Sequence, residues 1–358
     1  MKKITLLFLL ILSQSTFGQV EFTETKKLAA TCKVWGVLKY YHPKVANGIY
    51  HWDNQLFDVL PKIEQAKTKE AFSLVLEDWI NSLGEVEAIA PIMLSEDIDY
   101  FEKNFDLSWI DKNDLFSNNL SRALKFIENN RFQGNQNYVH QRKAGNIFVK
   151  NEDYSAYDFN DKNSRLLALF MYWNLMEYFY PYKYVMDKDW DSTLEDMIPL
   201  FIEANNDDDF YLAMQKLTVR LNDSHVVFHR YLGKGTKTKR FLPVTCKIIE
   251  EKIIVTEVLQ VALTEKEDIK VGDVITKVNG KSIKEIILEN RDFISASNEA
   301  YYLEHILEPV LSGYSETITL EFLKEGMTTS KTIDWNDYNI WQRWELNQAS
   351  KLKINLNV

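Results

Sequence analysis

The chain repeats itself at one constant offset, and the self-alignment needs no gap. Two uncommon residue types, tryptophan and proline, fall in register as four pairs: Trp35 with Trp173, Pro43 with Pro181, Trp52 with Trp190, and Pro61 with Pro199. Self-similarity at one fixed spacing is the signature of a duplicated structural unit. Residues 30–84 and 168–222 are therefore predicted to be two copies of one unit.

The repeated unit is predicted to be helical. Apolar residues of the first copy fall at i, i+3, i+4 and i+7, as on one face of an α-helix: Val34, Val37, Leu38 and Tyr41. Pro43 ends this helix, because proline disfavours a helical conformation in the residue before it. Asp53 is a suitable N-cap for a second helix, and a third is predicted over 69–83. The aromatic residues are interpreted as a core and not as a ligand cage.

The pattern changes from Arg240 onward, where β-branched runs alternate with charged turns. Short strands are predicted over 241–244, 247–249 and 252–258. Asn279-Gly280 is a strong hairpin signal, and Gly272 before Asp273 permits a tight turn into a strand. A helical stretch over 298–311 and a closing strand over 316–323 complete this part of the chain.

Two motifs in this region resemble a known family. The segment IKVGDVITKVNGKSI, residues 269–283, is similar to the signature of PDZ domains. It follows RLNDSHVVF, residues 220–228, and this order resembles the tail-specific, or C-terminal processing, serine peptidases, especially their exported bacterial members. The resemblance implies an α+β fold, in which duplicated helical units precede a PDZ-like small β-barrel with flanking helices.

The predicted domain organisation combines the repeat with the resemblance. It comprises a signal peptide over 1–18, a first helical unit over 19–90, an irregular mixed connector over 91–165, a second helical unit over 166–230 that ends in the Asp-Ser-His motif, a PDZ-like domain over 238–330, and a tail over 331–358.

The resemblance also implies a peptide-binding site. In a PDZ domain a peptide adds as a strand to a sheet edge, and backbone amides near the start of that strand capture its terminal carboxylate. The corresponding residues here are Phe241, Leu242, Pro243 and Val244, so peptide or protein C-termini are the expected partners. Pro243 departs from this pattern because it lacks a backbone donor. An interpretation as core and edge packing alone is equally open.

No catalytic residue is predicted. The resemblance implies a serine nucleophile activated by a lysine, both in a domain that follows the PDZ segment, and the chain ends at Val358 with no small-residue stretch of that kind. Asp223, Ser224 and His225 are the right types for a triad, but consecutive side chains point apart. This motif is therefore interpreted as structural. A zinc site at His225 and His229 lacks a third histidine, so no metal and no cofactor are predicted.

The tail carries four aromatic residues among polar ones: Trp335, Tyr338, Trp341 and Trp344. Such aromatics pack against something, and the expected partner is a missing catalytic domain or another protein. Three functions stay open: a truncated peptidase homologue that binds peptides without cleaving them, an exported adaptor or scaffold that recruits proteins, and a peptidase whose activity is completed in trans.

The N-terminal segment, residues 1–18, predicts export. Lys2 and Lys3 precede an apolar run from Ile4 to Leu12, which is typical of a secretory signal and too short to span a bilayer. The expected location is periplasmic or extracellular. The net charge is −10, and removal of the two lysines makes it −12. This charge repels nucleic acid and anionic membranes, so neither is an expected partner.

Overall fold

The architecture was obtained as a computed structural model that describes residues 22–93, 97, 101, 103–152, 157–228, 239–260 and 265–335. The predicted signal peptide, His229 and residues 336–358 lie outside the described residues. The chain divides into two compact units, Met1–Ala213 and Met214–Val358.

The first unit is mainly helical. Its helices are α1 (Glu24–Tyr41), α2 (Pro43–Ala46), α3 (Trp52–Gln65), α4 (Lys69–Ser82), α5 (Trp109–Lys112), α6 (Asn118–Asn129), α7 (Lys162–Phe179), α8 (Trp190–Glu203) and α9 (Asp207–Val219), the last of which continues into the second unit. A two-stranded antiparallel ribbon lies in the connector, formed by β1 (Val139–Gln141) and β2 (Ile147–Val149).

The helix bounds repeat at the offset of the sequence repeat. The shift that carries Trp35 onto Trp173 also carries the bounds of α1 onto those of α7, and the bounds of α3 onto those of α8. The N-caps repeat as well. Thr23 accepts a hydrogen bond from Lys26 N at 3.2 Å, and Asp161 accepts one from Ser164 N at 2.8 Å. Each cap satisfies a backbone donor that the helix itself leaves without a partner.

The repeated tryptophans pack as matched pairs inside the helical unit. The ring centroids of Trp35 and Trp52 lie 6.3 Å apart, and those of Trp173 and Trp190 also lie 6.3 Å apart. All four side chains are buried. The tryptophans of both copies therefore form core, as the sequence predicts, because their large apolar surface is removed from water.

A buried cation occupies the same position in both copies. Lys27 donates through Nζ to Ile63 O at 2.9 Å and to Ala66 O at 3.0 Å, at the end of α3. Arg165, its equivalent in the second copy, donates through Nε to Phe201 O at 2.8 Å, at the end of α8. Both cations thus satisfy carbonyls in the last turn of a helix, where a positive charge also complements the helix dipole.

The second unit contains a six-stranded antiparallel sheet. Its elements are β3 (Arg240–Phe241), β4 (Val244–Ile249), β5 (Lys252–Val258), β6 (Val274–Val278), β7 (Lys281–Ser282), α10 (Ile283–Glu289), α11 (Glu299–His305), α12 (Leu307–Val310), β8 (Ser312–Gly313), β9 (Thr317–Lys324) and β10 (Met327–Asp334). The sheet order is β10-β9-β6-β5-β4, with β7 paired to β6, and β3 pairs separately with β8. The two units together confirm a mixed helix and sheet fold.

The last strand of the sheet carries Trp335 into the core of the second unit. Its side chain is 2 % exposed and donates through Nε1 to Ser315 O at 2.7 Å. The expectation that Trp335 packs on a partner is therefore wrong, because β10 runs to Asp334 and places the next residue inside the module. Tyr338, Trp341 and Trp344 lie outside the described residues.

Neither cysteine forms a disulfide, and Cys32 is buried while Cys246 is partly buried. Burial raises the pKa of the Cys32 thiol well above its usual value. Within the described part of the chain, no helix combines the length and apolar character needed to cross a bilayer.

Candidate functional site

The strand β4 lies at one end of the sheet. A two-residue turn joins it to β5, and both turn residues have positive φ, 49° at Glu250 and 56° at Glu251. Ile249 pairs with Lys252 next to this turn, followed by Ile248 with Ile253. In a hairpin closed by such a turn the first pair exchanges both hydrogen bonds, and bonded and non-bonded pairs then alternate. The backbone N–H and C=O of Ile248 therefore point away from β5.

The helix α11 packs beside this edge strand. Asn298 caps the helix by accepting from Tyr301 N at 2.9 Å. Tyr302 anchors it to the core, since its hydroxyl donates to Ile287 O at 2.6 Å and burial raises its pKa to about 12. Ile248 on the strand and Leu303 on the helix are partly buried apolar side chains that pack against the core. The two elements thus place partly buried apolar side chains next to a strand edge.

The four predicted peptide-binding residues lie immediately before and at the start of β4. Their side chains are buried, and those of Phe241, Leu242 and Val244 belong to the core of the module. They therefore contribute packing, and only their backbone is a candidate for ligand contact. Whether these residues bind a peptide stays a prediction.

The backbone of this segment is bonded to the chain itself. Leu242 N–H donates to Leu311 O at 2.9 Å, and Val244 N–H donates to Leu242 O at 2.8 Å. Pro243 has no N–H, and its carbonyl accepts from Leu259 N at 2.8 Å. From Leu242 to Val244, no backbone N–H is left without an acceptor.

The Asp-Ser-His motif lies in the second unit, in contact with the segment that leads into α11. Ser295 Oγ donates to Asp223 O at 2.9 Å, and Ser297 N donates to Ser224 Oγ at 3.0 Å. The Tyr301 hydroxyl donates to Ser224 O at 2.8 Å. The motif therefore holds the beginning of α11, the helix beside β4.

The geometry of the motif does not form a nucleophile. The Ser224 hydroxyl lies 2.6 Å from Ser297 Oγ, whereas His225 Nδ1 lies 2.9 Å from Asp223 Oδ1. The His225 side chain is 95 % exposed. A serine is activated when its hydroxyl donates to a positioned base, and here serine and histidine have separate partners.

One serine of the first unit contacts a lysine. Lys112 Nζ donates to Ser108 Oγ at 3.0 Å, and Ser108 Oγ donates to Asp106 Oδ2 at 2.5 Å. The pair is exposed, and the lysine acts as a donor and not as a base. This contact is therefore an interaction within a surface turn and not an activated serine.

A cavity of about 520 Å³ lies in the first unit. Its wall includes the ion pair between Lys183 Nζ and Glu177 Oε2, which are 2.6 Å apart, and the aromatic rings of Phe105 and Trp109. Burial raises the pKa of Glu177 and lowers that of Lys183. Because the two charges are paired with each other, neither residue presents an unpaired charge to the cavity.

The described residues contain no group of three or more His, Cys, Asp or Glu side chains that could hold a metal ion. The second histidine of the candidate zinc site, His229, lies outside the described residues.

Comparison with known proteins identifies one domain. Residues 233–300 match the family model of the PDZ domain, which confirms the prediction made from the signature at 269–283. No curated protein matches the chain. The matched range includes β4 and its hairpin, and it ends at the start of α11. A PDZ domain implies binding of peptides or proteins.

The sequence does not indicate which residues hydrogen-bond to the Asp-Ser-His motif or to Leu242, just before β4. Ser295, Ser297 and Tyr301 lie 72 to 77 residues beyond the motif residues that they contact, and Leu311 is likewise remote in sequence from Leu242. The one signal in the sequence was Pro243, whose missing donor indicates an altered strand edge.

Proposed function

We propose that this chain binds extended peptide segments through its PDZ domain and serves as the substrate-presenting part of a tail-specific serine peptidase homologue, and that neither Ser224 nor Ser108 acts as a nucleophile. The observation that carries the proposal is the edge of β4 beside α11. The order of helical repeat, Asp-Ser-His motif and PDZ domain supports the link to the peptidases. Export, predicted from residues 1–18, would place this activity in the periplasm or outside the cell.

Binding would occur by strand addition. The outward N–H and C=O of Ile248 would pair with the backbone of an incoming peptide, and alternate peptide side chains would face α11. Because Ile248 on β4 and Leu303 on α11 are partly buried apolar side chains, the peptide positions that face them would be apolar.

Cleavage by the described residues is not expected. Ser224 hydrogen-bonds to Ser297 and Ser108 donates its hydroxyl proton to Asp106, so neither is prepared for attack on a peptide bond. The bound peptide would be released intact, or would be cleaved by a catalytic domain supplied by another chain.

The test uses purified full chain and a panel of fluorescein-labelled decapeptides with alternating apolar (Val, Ile, Leu, Phe) and polar (Thr, Ser, Lys, Glu) residues. Fluorescence anisotropy measures binding, and mass spectrometry of the same mixtures detects cleavage. We expect binding of part of the panel and no cleavage. Absence of binding across the panel would refute the proposed function, and cleavage abolished by one serine substitution would refute the non-catalytic role.

Two variants at one position separate the strand edge from the side chain. Ile248→Pro removes the outward N–H, which does not take part in the ladder with β5, and should weaken binding at least tenfold, about 1.4 kcal/mol. Ile248→Ala keeps that N–H and should weaken binding less. Equal losses in both variants would argue against strand addition at this edge.

A further inference from the structure

We infer that the binding groove of this PDZ domain, which lies along β4 beside α11, binds internal extended segments of a polypeptide. It does not capture the terminal carboxylate of a peptide. The inference rests on the proposed function, because it specifies the class of peptide that the same groove accepts. It departs from the expectation that peptide C-termini are the partners.

Capture of a carboxylate requires backbone N–H groups that point at it without another acceptor. The residues at the start of the strand edge are Leu242, Pro243 and Val244. The first donates to Leu311 O, the second has no N–H, and the third donates to Leu242 O. Three consecutive residues therefore offer no free donor where the charged end of a peptide would lie.

The acceptor at Leu242 is held in place by the fold. The short strands β3 and β8 pair directly beside it, with Phe241 opposite Ser312 and Arg240 opposite Gly313. Leu311 is 6 % exposed and Phe241 is 1 % exposed, so this junction is part of the core. A carboxylate would have to displace the Leu311 carbonyl, and leaving a buried carbonyl without its partner is unfavourable.

The bond at Val244 is a three-residue turn, from N–H to the carbonyl two residues earlier. Opening this turn would release the N–H of Val244 alone, because Pro243 has none to release and Leu242 remains bonded to Leu311. One donor does not replace the two or three that fix a carboxylate.

The two cations that the structure describes just before this segment, Lys239 and Arg240, already have partners. Arg240 donates through Nη1 to Tyr314 O at 3.1 Å and to Ser315 O at 3.3 Å. Lys239 Nζ lies 3.4 Å from Glu308 Oε1. Of the donors of these two described cations, Arg240 Nε is buried without a partner, so the experiment must separate its contribution.

An internal segment needs none of these donors. Strand addition uses the outward N–H and C=O groups of Ile248, farther along β4. The register of the hairpin makes these groups available whether or not the peptide ends in a free carboxylate. The affinity of a ligand should therefore depend on its extended backbone and inward side chains and not on the presence of a terminus.

The experiment takes the tightest-binding decapeptides of the panel in three matched forms: with a free C-terminal carboxylate, with a C-terminal amide, and extended by Gly-Ser-Gly-Ser. Anisotropy with the full chain should give dissociation constants within twofold of one another. A loss of tenfold or more on amidation and on extension would overturn the inference while leaving the proposed function intact. Failure of all three forms to bind would overturn both.

Arg240→Gln tests the remaining donor. If the guanidinium captures no carboxylate, the ratio of affinities for the acid and amide forms stays near one in the variant, as in the unaltered chain. A ratio above ten in the unaltered chain that falls toward one in Arg240→Gln would assign carboxylate capture to Arg240 and overturn the inference.

Discussion

Replacement of Arg165 by methionine tests how the duplicated helical unit is stabilised. Arg165 is 4 % exposed. Besides Phe201 O its guanidinium donates to Ile202 O at 3.2 Å, to Phe159 O at 3.0 Å and to Asn160 O at 2.8 Å. It therefore joins the last turn of α8 to the segment that precedes α7. Methionine keeps most of the side-chain volume and removes all four hydrogen bonds.

The loss can be estimated from these contacts. A hydrogen bond from a charged group contributes about 1.5 kcal/mol at the low end, so four give about 6 kcal/mol. Burial of the apolar methionine side chain offsets about 2 kcal/mol. We expect Arg165→Met to lower the free energy of unfolding of the first unit by about 4 kcal/mol.

The first copy supplies the matched comparison. Lys27 holds the equivalent position and reaches only the carbonyls at the end of α3. Arg165→Lys should therefore keep the contact with the end of α8 and lose those with Phe159 and Asn160, at a cost of about 3 kcal/mol.

Urea unfolding followed by tryptophan fluorescence measures both variants, because the described tryptophans lie mainly in the first unit: Trp35, Trp52, Trp79, Trp109, Trp173 and Trp190 there, and Trp335 in the second. Circular dichroism at pH 7 checks that the variants are folded. A loss below about 1 kcal/mol in Arg165→Met would refute the reasoning, as would equal losses in the two variants.

Two further predictions concern pH and the Asp-Ser-His motif. Burial, with the nearby Lys44 charge, lowers the pKa of His42 to about 4. The unfolded chain therefore takes up this proton first, and stability falls as the pH drops from about 6.5 to 4. Relative to His42→Gln, the unaltered chain should lose about 2.5 kcal/mol between pH 7.5 and 4.5 in urea titrations; an identical pH dependence would contradict this. Tyr301→Phe removes the hydrogen bond to Ser224 O and should speed amide exchange at residues 223–225 severalfold, since such a bond contributes about 1 kcal/mol. Tyr302→Phe, which loses a bond elsewhere in the module, should leave that exchange unchanged.

The helical repeat was predictable because its signals are local. Three signals act over short stretches of chain: the proline after the first helix, Asp53 near the start of the second helix, and the apolar stripe at i, i+3 and i+4. Each recurs at the same offset in the second copy. The N-cap of the second helix was misplaced, since α3 begins at Trp52 with His51 as its cap. The hairpin at Asn279-Gly280 was predictable for the same local reason, as both residues have positive φ.

The last strand was harder to predict. The sequence of β10 is MTTSKTID, and Ile333 alone among its residues is buried. An exposed polar edge strand lacks the apolar alternation that identifies a strand. For this reason the sequence alone predicts a tail where part of β10 lies, and predicts that Trp335 packs on a partner.

Whether the backbone N–H groups at the start of the groove are free could not be predicted from local sequence. Pro243 shows that one donor is missing, but it does not show that Leu242 is bonded to Leu311. That bond depends on the pairing of β3 with β8, two strands that are remote from each other in the sequence, and no periodicity encodes it. The chemistry of the groove therefore follows from tertiary pairing, although the presence of the PDZ domain follows from its signature.

Residue-resolved hydrogen exchange with and without a bound amidated decapeptide tests the central claim most directly. In the free chain the amide of Leu242 should exchange slowly, because it is buried and bonded to Leu311, and the amide of Ile248 should exchange fast. Peptide binding should then protect Ile248 and leave Leu242 unchanged. Protection confined to the first unit, or fast exchange at Leu242 that the peptide abolishes, would contradict the account.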